Sequence, residues 1–172
     1  MVKVHEVTIG NTLNCEKDFR TCLRLKLRSW TGTTNSDCDV ILAYCPIVSR
    51  VGTDIEAALG KIPGGKPTVL VVLHHTFDQD FIVPDTRRFV NRHDMITVNC
   101  LFHESQGLMR GQLLDTALED TLRFLRKYDY PPHQDEDSVA KVPGSQSSHG
   151  LRHGLSSLVF LVSLPYFITK TI

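Results

Sequence analysis

The 172-residue chain has no excess of charge of either sign, since 19 Lys and Arg balance 19 Asp and Glu. A neutral chain displaces few counterions from a phosphate backbone, so a nucleic-acid polymer is not expected as a partner. The sequence also lacks a P-loop, a Rossmann G-x-G-x-x-G and a Ser-His-Asp order. Its five cysteines, Cys15, Cys22, Cys38, Cys45 and Cys100, are odd in number and show no CxxC or CxxxxH spacing, which leaves zinc and a disulfide framework without support. They read as small buried hydrophobes with free thiols, in a reducing, cytoplasmic compartment. The opening Met1-Val-Lys-Val-His-Glu6 puts charges where a signal peptide needs apolar residues, so secretion is not expected either. No internal repeat and no low-complexity bias is present.

What the chain does have is ordinary globular material, 41% hydrophobic and 22% charged, enough for one core with a tail. Val2 to Ile9 alternates and is closed by Gly10-Asn11-Thr12, the pattern of a strand and turn. Phe19, Cys22, Leu23 and Leu27 recur at helical spacing within Cys15–Leu27. Thr31–Asp37 reads as a loop. Three apolar runs follow, Val40–Cys45 (stopped by Pro46), Thr68–Leu73 and Met95–Leu101, each short enough for a strand buried on both faces. Helical stretches at Gly52–Leu59 and Leu113–Tyr128 complete the pattern. Strands alternating with helices predict a three-layer, flavodoxin-like α/β domain over residues 1–130, with a mainly parallel sheet of four to five strands. Residues 131–150, with Pro131-Pro132 and the acidic run Asp135-Glu136-Asp137, read as a flexible linker. Residues 151–172 form an apolar C-terminal tail. Its uncharged part, Gly154–Thr169, is shorter than the roughly 20 residues that span a bilayer, so membrane contact through the tail is one reading and folding back on the domain another.

In a doubly wound sheet, ligands bind beyond the carboxyl ends of the strands. Those ends carry Gly10-Asn11-Thr12, the segment Pro46 to Glu56, His74-His75 and His103-Glu104. Thr53-x-x-Glu56 has two readings: a capping box that needs no function, or a carboxylate placed for chemistry at a helix start. Gly10-Asn11-Thr12 is either a plain turn or a phosphate-holding loop similar to part of the flavodoxin motif, although the Ser and Thr residues that would flank it are incomplete. His74 and His75 are adjacent, hence on opposite faces of an extended strand, and cannot both grip one metal unless the strand has already ended. The polar stretch Thr76–Asp94 has the length of a lid and equally of an exposed excursion.

The ordered set Asp39-Val-Ile-Leu-Ala-Tyr44, Gly52-Thr53-Asp54-Ile55-Glu56 and Gly65-Lys66-Pro67 resembles the nucleoside 2-deoxyribosyltransferase-like superfamily, over about Asp37–Leu73. The chain is also similar to short fish proteins, a likeness that implies no activity. The family resemblance implies a nucleoside or nucleotide ligand, no cofactor, and Glu56 as a nucleophile toward the anomeric carbon of an N-glycosidic bond. An oxocarbenium-like transition state then needs a proton donor for the departing base, a role open to Glu104 or to a histidine among His74, His75 and His103. Gly10, Asn11, Thr12, Arg50, Gly52, Thr53, Asp54, His74 and His75 would line the substrate site. The family's Asp two residues before the Gly-Thr pair is Arg50 here, a cation that suits a phosphorylated ligand or is a solvated loop residue. Because such pockets are often completed across subunits, a homo-oligomer is one expectation. A non-catalytic nucleotide-sensing or protein-interaction module of the same fold is the other reading of this pattern.

Overall fold

The computed structural model of the chain describes residues 1–27 and 30–129. The chain divides into the units Met1–Gln134 and Asp135–Ile172. The linker and the apolar tail expected from the sequence lie outside the described residues.

The order of elements is β1 (Val2–Thr8), α1 (Cys15–Lys26), β2 (Trp30–Gly32), β3 (Val40–Ile47), α2 (Val51–Leu59), β4 (Thr68–His75), β5 (Met95–His103), β6 (Gly107–Leu108) and α3 (Gln112–Arg126), with short 3₁₀ turns at Asn35–Asp37 and Arg87–Phe89. One six-stranded sheet results, in the order β2-β1-β3-β4-β5-β6. All pairings are parallel except that of β5 with β6. The parallel part therefore reads 2-1-3-4-5, one of the two common doubly wound orders, and its direction reverses between β1 and β3.

Among the described residues the sheet has six strands, not the four to five that the sequence predicts. β2 is three residues long and β6 two, too short for any alternation to show. β2 begins at Trp30 and runs into the stretch expected to be loop, where Thr31 and Gly32 pair with Lys3 and Val4. Pro46 does not stop β3, which continues to Ile47. The Tyr44 carbonyl accepts the Ile9 N–H at 3.0 Å, so Tyr44 turns its peptide groups toward β1. Two residues on, the nitrogen of Pro46 faces the same side, past the end of β1, where no ladder hydrogen bond is required.

Alternation distributes the strand residues between two cores. Val2, Val4, Val40, Leu42, Tyr44, Val69, Val71, Leu73, Val98, Cys100 and Phe102 meet α1 and α3. On the other face, Ile9, Ile41, Ala43, Cys45, Leu70 and Val72 meet Ile55 and Ala58 of α2, with Phe89 and Val90 packed alongside. The seal over β4 and β5 on this second face is completed by the irregular connection between these two strands. No helix among the described residues is long and apolar enough to cross a membrane.

Candidate functional site

Each carboxyl-edge loop is fixed by local bonding. After β1, Gly10 turns at φ 77°, and a Cβ there would touch the Pro46 ring at 3.5 Å. Asn11 is exposed and its side-chain oxygen accepts the Leu13 N–H at 3.0 Å, while Leu13 and Asn14 are both left-handed. The buried Thr12 donates its hydroxyl to the Glu16 carboxylate. With Glu16 and Asp18 in its first turn, the N-terminus of α1 already holds its own acids. A phosphate arriving at Gly10–Thr12 would meet that negative charge.

The β3–α2 loop is organised by Asp54. Its Oδ2 accepts the backbone N–H groups of Val48 (2.8 Å) and Ser49 (2.7 Å), and its Oδ1 accepts the Ser49 hydroxyl at 2.8 Å. Burial raises its pKa, but these three bonds outweigh that effect and hold the carboxyl below the usual range. The capping box expected at Thr53 and Glu56 does not form. The helix begins at Val51 with Arg50 as the extended residue before it, so Thr53 lies inside the first turn and cannot act as its cap. Arg50 and Thr53 are exposed. Gly52 is a packing glycine, because a Cβ there would lie 2.9 Å from the ring of Phe89.

Glu56 stands on the exposed side of α2, and among the described residues its carboxylate has no hydrogen bond or ion pair. It is not among the residues lining the two cavities described below. Glu104 is exposed in the turn between β5 and β6.

The histidines divide as adjacent strand residues should. His74 is buried, and its Nε2 lies 3.0 Å from the Asn99 Oδ1, which also accepts the hydroxyl of the buried Thr86 at 3.1 Å. An amide oxygen only accepts, so Nε2 carries the hydrogen. Burial lowers the His74 pKa, opposed by the bond to Asn99. His75 is exposed at the end of β4 and belongs to a group of rings. Its ring lies 5.9 Å from that of His103, nearly parallel at 17°, 5.6 Å from Phe77 and 5.3 Å from Phe102. Phe77 meets His103 edge-on at 4.5 Å. The Ser105 N–H donates to His103 Nδ1 at 3.2 Å, with the Ser105 hydroxyl at 2.8 Å. Nδ1 is thus an acceptor, which leaves the hydrogen of the neutral ring on Nε2, and that nitrogen is buried without a partner.

Phe77 is 77% exposed, with Val48 at 84% and Ile82 at 89% in the neighbouring loops of the same sheet edge. The ring group was half visible in the sequence, as His75 and His103 at strand ends. Phe77 was not, because it opens a stretch that otherwise reads as polar loop.

Two adjoining cavities of about 370 and 360 Å³ lie elsewhere, along β5 and between α3 and the segment 83–90. Sequence reasoning placed no site there. The described residues contain no group of three or more His, Cys, Asp or Glu able to hold a metal ion. All five cysteines are free thiols. Comparison of the chain with family models, with curated proteins and with solved structures returns no match.

Proposed function

We propose that this domain is a binding module for a small, planar, nucleobase-bearing molecule, a nucleoside or nucleotide, held at the carboxyl edge of a three-layer, flavodoxin-like sheet. The observation that carries the reading is the ring group of His75, Phe77, Phe102 and His103, with the buried His103 Nε2 donor left without an acceptor. A buried donor without a partner costs about 1–3 kcal/mol, which a ligand supplying an acceptor would recover. An exposed ring such as Phe77 offers a base a stacking surface worth about 1–3 kcal/mol. The strand order supports the same edge, since doubly wound sheets place ligands beyond the carboxyl ends of their strands.

The test is thermal stabilisation by a panel of nucleosides, nucleotides and ADP-ribose. A ligand bound only to the folded chain adds about 2.7 kcal/mol of stability at a concentration a hundred times its dissociation constant. Stabilisation by at least one panel member, lost in Phe77→Ala, is the expected result. If no member stabilises the protein, or if Phe77→Ala responds as the parent does, the ring group is not the site.

A second reading, N-glycosidic cleavage or transfer, is favoured by one observation: the Glu56 carboxylate is exposed on α2 and bonded to none of the described residues. It predicts release of free base from a nucleoside or nucleotide, followed by chromatography, and its abolition in Glu56→Gln. Unchanged release in that variant removes Glu56 from the chemistry.

A further inference from the structure

β5 is bound to β4 from Met95 to Phe102, but its other side is covered only at the carboxyl end, where β6 pairs with Phe102 and His103. Two hydrogen bonds tell the sides apart. The Phe102 carbonyl accepts the Thr76 N–H, on the β4 side, at 3.1 Å, and the Leu101 carbonyl accepts the Met109 N–H, on the outer side, at 2.9 Å. Peptide groups alternate in direction along a strand, so those of Thr97 and Asn99 point outward with Leu101. No described residue pairs with them. The opening has defined limits, because the Met95 N–H is bonded to the Arg92 carbonyl at one end and Leu101 to Met109 at the other.

The two cavities of about 370 and 360 Å³ run along this opening and share Arg87, Thr97 and Asp120. The segment 83–90 forms one wall and α3 the other. The Thr97 hydroxyl is buried there without a hydrogen-bond partner. Charge differs along the groove. The part toward Met95 holds Arg87, Arg123 and Lys127; Arg87 is paired with Asp85 at 3.2 Å and Arg123 with Asp120 at 3.1 Å, which leaves Lys127 as the cation in excess.

We propose that this groove takes an extended, acidic peptide of another protein as an added strand. Its main chain bonds to the outward groups of Thr97 and Asn99, and an acidic side chain lies against Arg123 and Lys127. Added strands gain affinity from main-chain bonds and specificity from flanking side chains, and this edge supplies both. A single peptide strand fits better than a second copy of the chain. The walls stand on both sides of the edge, and a folded copy would bring its own walls against them. Four net main-chain hydrogen bonds and one charge contact predict a dissociation constant of about 0.1 mM.

The experiment uses the full chain and a labelled, end-capped peptide, Glu-Thr-Val-Thr-Val-Glu, followed by fluorescence anisotropy. Two further probes are the same peptide N-methylated at alternate amides and a version with Lys in place of both Glu. The unmodified peptide should bind near 0.1 mM, N-methylation should weaken it about tenfold or more, and Arg123→Glu with Lys127→Glu should exchange preference toward the Lys peptide. Arg123 is exposed on α3 and Lys127 is the exposed residue that caps its end. Should the double variant not fold, the N-methyl comparison on the unaltered protein decides alone. Equal binding of the N-methylated peptide, or no binding at millimolar concentration, overturns the proposal. So does a homodimer in sedimentation that Arg123→Glu dissociates, which would give the edge to a second copy instead.

Discussion

On one face of the sheet α1 and α3 lay two full helices over Val2, Val4, Leu42, Tyr44, Val71 and Leu73, contributing Phe19, Leu23, Leu118, Leu122 and Leu125 to a continuous apolar core. On the other face the short α2 covers Ile41, Ala43 and Cys45, and the remaining area is closed by the irregular connection from β4 to β5. The difference has a physical origin. A helix satisfies its own peptide groups and can offer a purely apolar stripe, whereas an irregular segment brings backbone groups that need partners. The second face accordingly contains a polar anchor, with His74 and Thr86 both bonded to Asn99, beside the apolar contact of Phe89 with Gly52.

The contrast predicts a hierarchy of mutational costs. Phe19 is fully buried on the helical face and meets Tyr44 edge-on at 6.1 Å. Phe19→Ala leaves a cavity between two helices and a sheet that cannot collapse freely, and should cost about 3–5 kcal/mol in urea unfolding. A loss below about 1 kcal/mol would mean that the helical face is not the better packed of the two.

The next effect in size comes from the anchor. Asn99→Ala leaves the His74 N–H and the Thr86 hydroxyl without their shared acceptor, a loss of about 1–3 kcal/mol. The cost lies in stranded donors rather than in missing contacts, so Thr86→Val added to Asn99→Ala should recover part of it. Additive losses in the double variant would show that these residues act as packing, and the proposed difference between the faces would shrink.

Much of this architecture was legible because its signals are local. The apolar runs around Val40, Thr68 and Met95 became β3, β4 and β5, and the helical stretch Leu113–Tyr128 became α3, whose buried side carries Leu114, Ala117, Leu118, Leu122 and Leu125. The order in which strands pair was not, since it depends on contacts between distant segments. The start of α2 was misread for a chemical reason: Thr53-x-x-Glu56 has the spacing of a capping box, but Asp54 reaches back to Val48 and Ser49 and sets the turn before Arg50. Of the candidate site, His75 and His103 were visible as strand-end residues. The partners that give them chemical meaning, Phe77 and the unpaired His103 Nε2, arise only when two strand ends meet. The β5 groove was invisible because it results from the segment between β4 and β5 leaving an edge uncovered, and no residue pattern marks that.

The smallest effect is the most selective, because it separates the faces by pH. Burial holds the His74 pKa below the ordinary histidine value, against the opposing bond to Asn99. The folded chain therefore resists a proton that the unfolded chain accepts near pH 6.5. Stability from the neutral imidazole is complete above that pH and is lost as the pH falls toward the lowered folded value. On the helical face burial acts on acids in the opposite sense, raising the Tyr44 phenol and the Cys100 thiol and pushing Cys15 up to about 11. Their contribution is complete at neutral pH and declines only as the pH rises past the unfolded values near 9 and 10, a limb that Cys45 of the second face shares. His74→Gln keeps an N–H that can reach Asn99 but removes the titration. Between pH 8 and pH 5 the parent should lose more stability than this variant, while both follow the same curve above pH 9. Parallel curves on the acid side would place the proton uptake elsewhere and leave the two faces indistinguishable by pH.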